Sequence, residues 1–342
     1  MAPIGLLDRV KNLYRDRTVD KAPAIAQSTC FLLSVSFIVL YVLPFYLSKT
    51  TRPSPTLSRD APSVIRARIR AVTSACIVNA AIVVFIILQY GKANAHETLR
   101  LLGWWPFDPL DIVRTLLLCA ILFVAPLFED GFVEGSWRDW VRGTYVLETL
   151  SSWTGWRNLV AGPVTEEIVF RSLLIPLHLL AKTTPKNIVF LTPLYFGIAH
   201  IHHLYEFRLT HPEVPVLPAF LRTAFQFTYT SLFGFFAAFV FLRTGSVYAA
   251  IAAHSFCNWQ GLPRLYGRVG AQSAPSKPGP GAKRSDERTG GGSAAVRGRD
   301  LSLVWTIIYY SLLLIGAYSF YVQRFPLTES SHALLDFKTK AK

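Results

Sequence analysis

A chain of 342 residues in which 51% are hydrophobic and only 16% charged is no ordinary soluble domain, since about 25% of residues carry charge there. The mean hydropathy of +0.34 and the gathering of apolar residues into long blocks predict an all-α, polytopic integral membrane bundle. The net charge of +14 is spread through the segments between blocks, with no basic helix or aromatic RNA-binding signature. It reads as loop charge beside anionic membrane lipid and argues against a nucleic-acid partner.

In chain order, residues 1–29 form a polar N-terminal tail without a cleavable signal peptide. About eight apolar blocks follow, at 30–48, 72–90, 110–128, 157–181, 187–207, 218–243, 246–265 and 301–321, each a candidate transmembrane helix. The first, "CFLLSVSFIVLYVLPFYLS", and the second, "VTSACIVNAAIVVFIILQY", are continuous and uncharged, whereas the fifth dissolves into "HIHHLYEFR". Residues 30–265 read as one membrane bundle without an internal repeat, its chemistry-bearing core at 155–265. Residues 266–300 are rich in Gly, Ser and Pro and read as a flexible loop. Residues 301–342 supply the last span and a basic C-terminal tail.

Sidedness is contradictory at this level. The odd-numbered loops carry a slight excess of Lys and Arg, which favours the cytosol for them. The terminal "KTKAK", with Lys338 and Lys340, resembles a dilysine retrieval signal that needs a cytosolic C-terminus. Eight spans do not allow both. Cys30, Cys76, Cys119 and Cys257 all fall inside apolar blocks, so they read as small buried side chains and not as a disulfide framework.

The fourth block contains "GPVTEEIVFRSLLIPLHLL", with Glu166, Glu167 and Arg171 inside six residues. Three charges near the bilayer centre cost roughly 9 kcal/mol on insertion scales, while its aliphatic and aromatic residues return only about 5 kcal/mol. The segment therefore belongs in a protein interior or a wet cavity. Glu167 and Arg171, at i and i+4, share a face and can pair. Glu166 points about 100° away and stays available. Gly162-Pro163 predicts a helix break that leaves backbone N–H groups free near Glu166 and lets water approach.

Two more blocks carry polar groups. His200 closes the apolar run of "LYFGIAHIHH", and His254 and Asn258 stand at i and i+4 in "AAIAAHSFCNWQG". With alternating span directions, Glu166, His200, His254 and Asn258 all fall in one half of the bilayer thickness. A glutamate with a histidine can activate water, and a histidine with an asparagine amide can stabilise an oxyanion, which together suit amide hydrolysis without a covalent intermediate. Zinc is the minor alternative, because the H-E-x-x-H motif is absent. Cys257 reads as a buried side chain rather than a nucleophile, and there is no G-x-S-x-G elbow. The same residues also allow a non-proteolytic scaffold or a proton or ion transporter, although transporters usually show a duplicated half.

The motifs Glu166-Glu167-x-x-x-Arg171, Phe196-x-x-x-His200 and His254-x-x-x-Asn258, in this order on separate spans, resemble the type II (Rce1-type) CAAX prenyl proteases. The flanking "GPVTEEIVFRS" and "FGIAHIHH" look like the eukaryotic members. The resemblance covers residues 155–265. It implies a glutamate-dependent, metal-free and cofactor-free intramembrane endoprotease of the endoplasmic reticulum, its site facing the cytosolic leaflet. Its partners would be farnesylated or geranylgeranylated CAAX proteins such as small GTPases, from which it would release the last three residues. Carried over by position, Glu166 activates water with help from His200, and His254 with Asn258 forms the oxyanion hole. Glu167 and Arg171 support the site, and Phe196 packs as wall. The wider superfamily also includes immunity-type and scaffolding members without protease activity.

Overall fold

The computed structural model describes residues 22–270 and 301–335, with Leu7, Lys11 and Phe337. Most of the N-terminal tail, the 270–300 loop beyond its first residue, and Lys338 and Lys340 lie outside the described residues.

All regular structure among the described residues is helical. Five helices are long and apolar enough to cross a membrane: α1 (Gln27–Leu47), α2 (Pro62–Gln89), α5 (Pro185–Thr210), α6 (Val216–Thr244) and α8 (Leu303–Gln323). A sixth crossing is available if α3 (Pro109–Leu122) and Val124–Val133, which meet at a 79° bend, are taken as one span. The expected count of eight is not confirmed among the described residues, and the two blocks that do not add a long apolar helix differ in form. The seventh forms α7 (Val247–Gln260), only 14 residues long, about 21 Å against a hydrocarbon core of about 30 Å. The fourth forms α4, built from Gly162–Glu167, a π-helical stretch Ile168–Leu173 and Leu174–Leu180.

α4 is the axis of the fold. Every residue from 169 to 181 is buried, as befits a largely apolar helix surrounded by others. Leu173, Leu174, Ile175 and Leu177 are at the centre of the main apolar cluster. The energetic expectation that this charged segment avoids lipid is met: protein encloses it. α1, α2, α5, α6 and α7 all touch some part of it.

Two devices bring chemistry-bearing helices against α4. Gly197 of α5 lies where a Cβ would come within 2.4 Å of Ser231 Oγ, and Gly234 of α6 where a Cβ would meet Pro193 Cβ at 2.6 Å and Arg171 Nη2 at 3.3 Å. Only glycine lets α5 and α6 approach this closely beside Arg171. Gly245 then ends α6 in the left-handed region (φ +62°), where glycine alone is unstrained. Ser246 follows at once and caps α7 by accepting the Ala249 N–H at 3.2 Å. That two-residue reversal sets the position of His254.

Candidate active site

The first half of α4 presents Glu166 and Glu167 on different faces. Glu167 is fully buried and takes the Arg171 guanidinium at 3.0 Å. Arg171 is held further by aromatic faces, its Cζ 4.8 Å from the Phe196 ring centroid and 5.6 Å from that of Phe233, so π electrons offset part of a buried charge. His254 of α7 donates its Nδ1–H to Glu167 Oε1 at 2.7 Å. Its Nε2 then faces Glu166 Oε2 at 3.6 Å. One imidazole thus stands between two carboxylates, one sealed and one with 21% of its side chain exposed. The i, i+4 pair expected from the helix period is present, and Glu166 lies outside it.

Phe196 is buried between the two histidines, edge-to-face with His200 at 4.6 Å and with His254 at 6.1 Å. His200 donates its Nδ1–H to the Phe196 carbonyl at 2.8 Å, which leaves Nε2 as an unprotonated acceptor in the neutral ring. The imidazole in ion-pair reach of Glu166 is that of His254.

Asn258 sits one turn beyond His254, and its Nδ2 donates to the Asn158 carbonyl at 2.9 Å. The residues before Glu166 explain why that carbonyl is available. A π-helical turn, Arg157–Ala161, directs the Gly162 N–H to the Arg157 carbonyl. The next donor along would be residue 163, a proline with no N–H. The carbonyls of Asn158 and Leu159 therefore turn to α7, where Asn258 takes the first and Ser255 Oγ donates to the second at 2.8 Å. The expected effect of Gly162-Pro163 is corrected here: the break presents carbonyls to α7 and not N–H groups to Glu166. Pro163→Ala is expected to return a competing donor and loosen the Asn258 amide. The activity this site supports should fall roughly tenfold in kcat, within the hundredfold that an ångström of misplacement can cost. The thermal unfolding midpoint should not fall, and measuring both on one preparation separates positioning from folding.

Comparison with known proteins follows the same stretch. Residues 148–260, which contain all seven predicted site residues, match the family Type II CAAX prenyl endopeptidase Rce1-like. A protein of Schizosaccharomyces pombe named "Probable CAAX prenyl protease 2" is 33% identical over 292 residues, covering 85% of this chain and 91% of its own. The chain belongs to the type II CAAX prenyl endopeptidase family. The "CAAX prenyl protease 2" of Homo sapiens is 34% identical, covering 69% of this chain and 70% of its own. That of Arabidopsis thaliana is 32% identical, covering 71% and 81%. No solved structure matches. The relatives extend well beyond 155–265, so the first spans share more with the family than their hydrophobicity alone conveyed.

Several parts of this family member's site carry no sequence motif. Phe233 packs its ring 4.6 Å from that of His254. Asn158 acts through a backbone carbonyl, for which the only sequence sign is a proline five residues on. Tyr41 of α1 and Cys76 of α2 reach the helix bearing the glutamates, at Thr165 Oγ1 (3.2 Å) and the Thr165 carbonyl (3.6 Å). His202 and His203 brace the end of α5, and the second does so through a carboxylate shared with α2. His202 donates to the Ala199 carbonyl, and His203 contacts Glu206, which also binds Arg68 at 2.8 Å. Cys30, Cys76 and Cys119 are buried, and all four cysteines are free thiols. Among the described residues no three His, Cys, Asp or Glu side chains form a metal-binding group.

Proposed function

We propose that this membrane protein is an intramembrane endoprotease that removes the C-terminal tripeptide from farnesylated or geranylgeranylated CAAX proteins, with small GTPases among its substrates. The observation that carries this reading is His254 held between Glu167 and Glu166. A sealed carboxylate sets the tautomer of a histidine whose other nitrogen faces a second, accessible carboxylate. That is the logic by which an imidazole is oriented for catalysis.

Glu166 takes a proton from water, and His200 Nε2 accepts the water's second hydrogen bond. The hydroxide equivalent attacks the carbonyl carbon of the prenylated cysteine, whose bond to the nitrogen of the next residue then breaks. His254, through Nε2, and the second N–H of the Asn258 amide stabilise the developing oxyanion. Asn158 holds the first Asn258 N–H and so aims the second. Glu167 and Arg171 keep His254 in register. The proton gathered on Glu166 passes to the leaving amine, and the tripeptide departs without a covalent intermediate. A substrate anchored by its lipid arrives in a leaflet, so the site opens to the cytosolic face of the endoplasmic reticulum membrane.

The purified protein in lipid vesicles should release a tripeptide from a farnesylated CAAX peptide and leave the unprenylated peptide intact. Mass spectrometry of the products identifies the bond cut. Absence of release from both peptides by a folded preparation would remove the protease reading.

A further inference from the structure

On the outer flank of the bundle, α1 and α2 enclose a groove of about 770 Å³. Leu40 and Leu47 of α1 and Ala71 and Val78 of α2 line it, together with Arg66 and Arg70 in the first turns of α2. The positions of α2 that line it, from 63 to 78, recur every three or four residues and so share one helix face. The buried positions Ile65, Val72, Cys76 and Asn79 lie on the opposite face, where Cys76 reaches Thr165 beside Glu166. The groove is thus separated from the site of hydrolysis by the thickness of α2.

Its charge is one-sided. Neighbouring cations are matched, Arg68 and Arg59 by Glu206 and Arg157 by Asp60. Arg66 and Arg70 have no carboxylate partner among the described residues, and no acidic side chain lines the groove. Arg66 lies over the Trp153 ring at 5.3 Å. Tryptophan and arginine together mark the depth of lipid headgroups. Both charges of the α2 lining lie before Ala71, and beyond it Ser74, Ala75 and Val78 are uncharged, the charge gradient of a phospholipid.

The geometry points to a binding site for one anionic phospholipid, its phosphate between Arg66 and Arg70 and an acyl chain against Leu40, Ala71 and Val78. This assignment is independent of the proteolytic reading.

The test is native mass spectrometry of the protein released from vesicles of equal parts phosphatidylserine and phosphatidylcholine. The wild type should retain phosphatidylserine over phosphatidylcholine by about thirtyfold, the scale that two arginines supply at a membrane surface. Arg66→Gln/Arg70→Gln should bring the ratio close to one. Ala71→Phe, which fills the apolar length and leaves both charges, should lose both lipids. Unfolding midpoints in pure phosphatidylcholine establish that each variant is folded. An equal ratio in the wild type overturns the site, as does a preference that survives either variant. Displacement of the lipid by soluble glycerol 3-phosphate would replace it with a free-phosphate site.

Discussion

Replacing Glu166 by Gln is expected to lower kcat/KM for tripeptide release by roughly 10²–10⁴, the range a positioned general base contributes. The effect should lie in kcat, because Gln keeps the volume and hydrogen-bonding reach of Glu and removes only the ability to take a proton. Stability should change little, since Glu166 is partly exposed and its contact with His254 is long, at 3.6 Å. The measurement is a progress curve on a farnesylated CAAX peptide with matched unfolding of both proteins. Retention of more than a tenth of the activity would move the base elsewhere, with Glu167 next to be tested.

Glu167→Ala should act differently, on the fold first. Glu167 and Arg171 are both essentially inaccessible, and the pair is 3.0 Å apart. Removing one partner leaves a guanidinium sealed among Phe196, Phe233 and the glycine face of α6. Breaking a buried pair in this way costs about 3–5 kcal/mol. The double replacement Glu167→Gln/Arg171→Met takes both charges away and should recover most of that loss, because apolar replacement of a buried pair is often neutral. It should not recover activity, since His254 Nδ1 would face a neutral amide and the imidazole would lose the carboxylate that orients it. Denaturant unfolding beside peptide release reads both quantities. A Glu167→Ala protein as stable as the wild type would show that Arg171 finds another partner.

These two glutamates show how far a linear reading reaches. Glu167 and Arg171 are four residues apart, and the helix period alone places them together. That pairing, the availability of Glu166, and the exclusion of α4 from lipid all follow from local geometry and the cost of burying charge. The polytopic helical class follows from block length and hydropathy, and three ordered motifs specify the family. Each of these depends on neighbours in sequence or on composition, which the chain states directly.

What depends on distant contacts was decided only by the assembled bundle. Whether an apolar block spans the membrane is set by what surrounds it as much as by its hydropathy. α4 is walled in by protein, and α7 stops at 14 residues. Which histidine faces Glu166 depends on the Gly245-Ser246 reversal and on how closely Gly197 and Gly234 let α5 and α6 approach. The role of Pro163 came out opposite to expectation, because a missing N–H matters through the carbonyl it abandons. That carbonyl's new partner, Asn258, lies 100 residues away in sequence. Local periodicity is a property of the chain, whereas the partner of a buried polar atom is a property of packing, and the site is made of both.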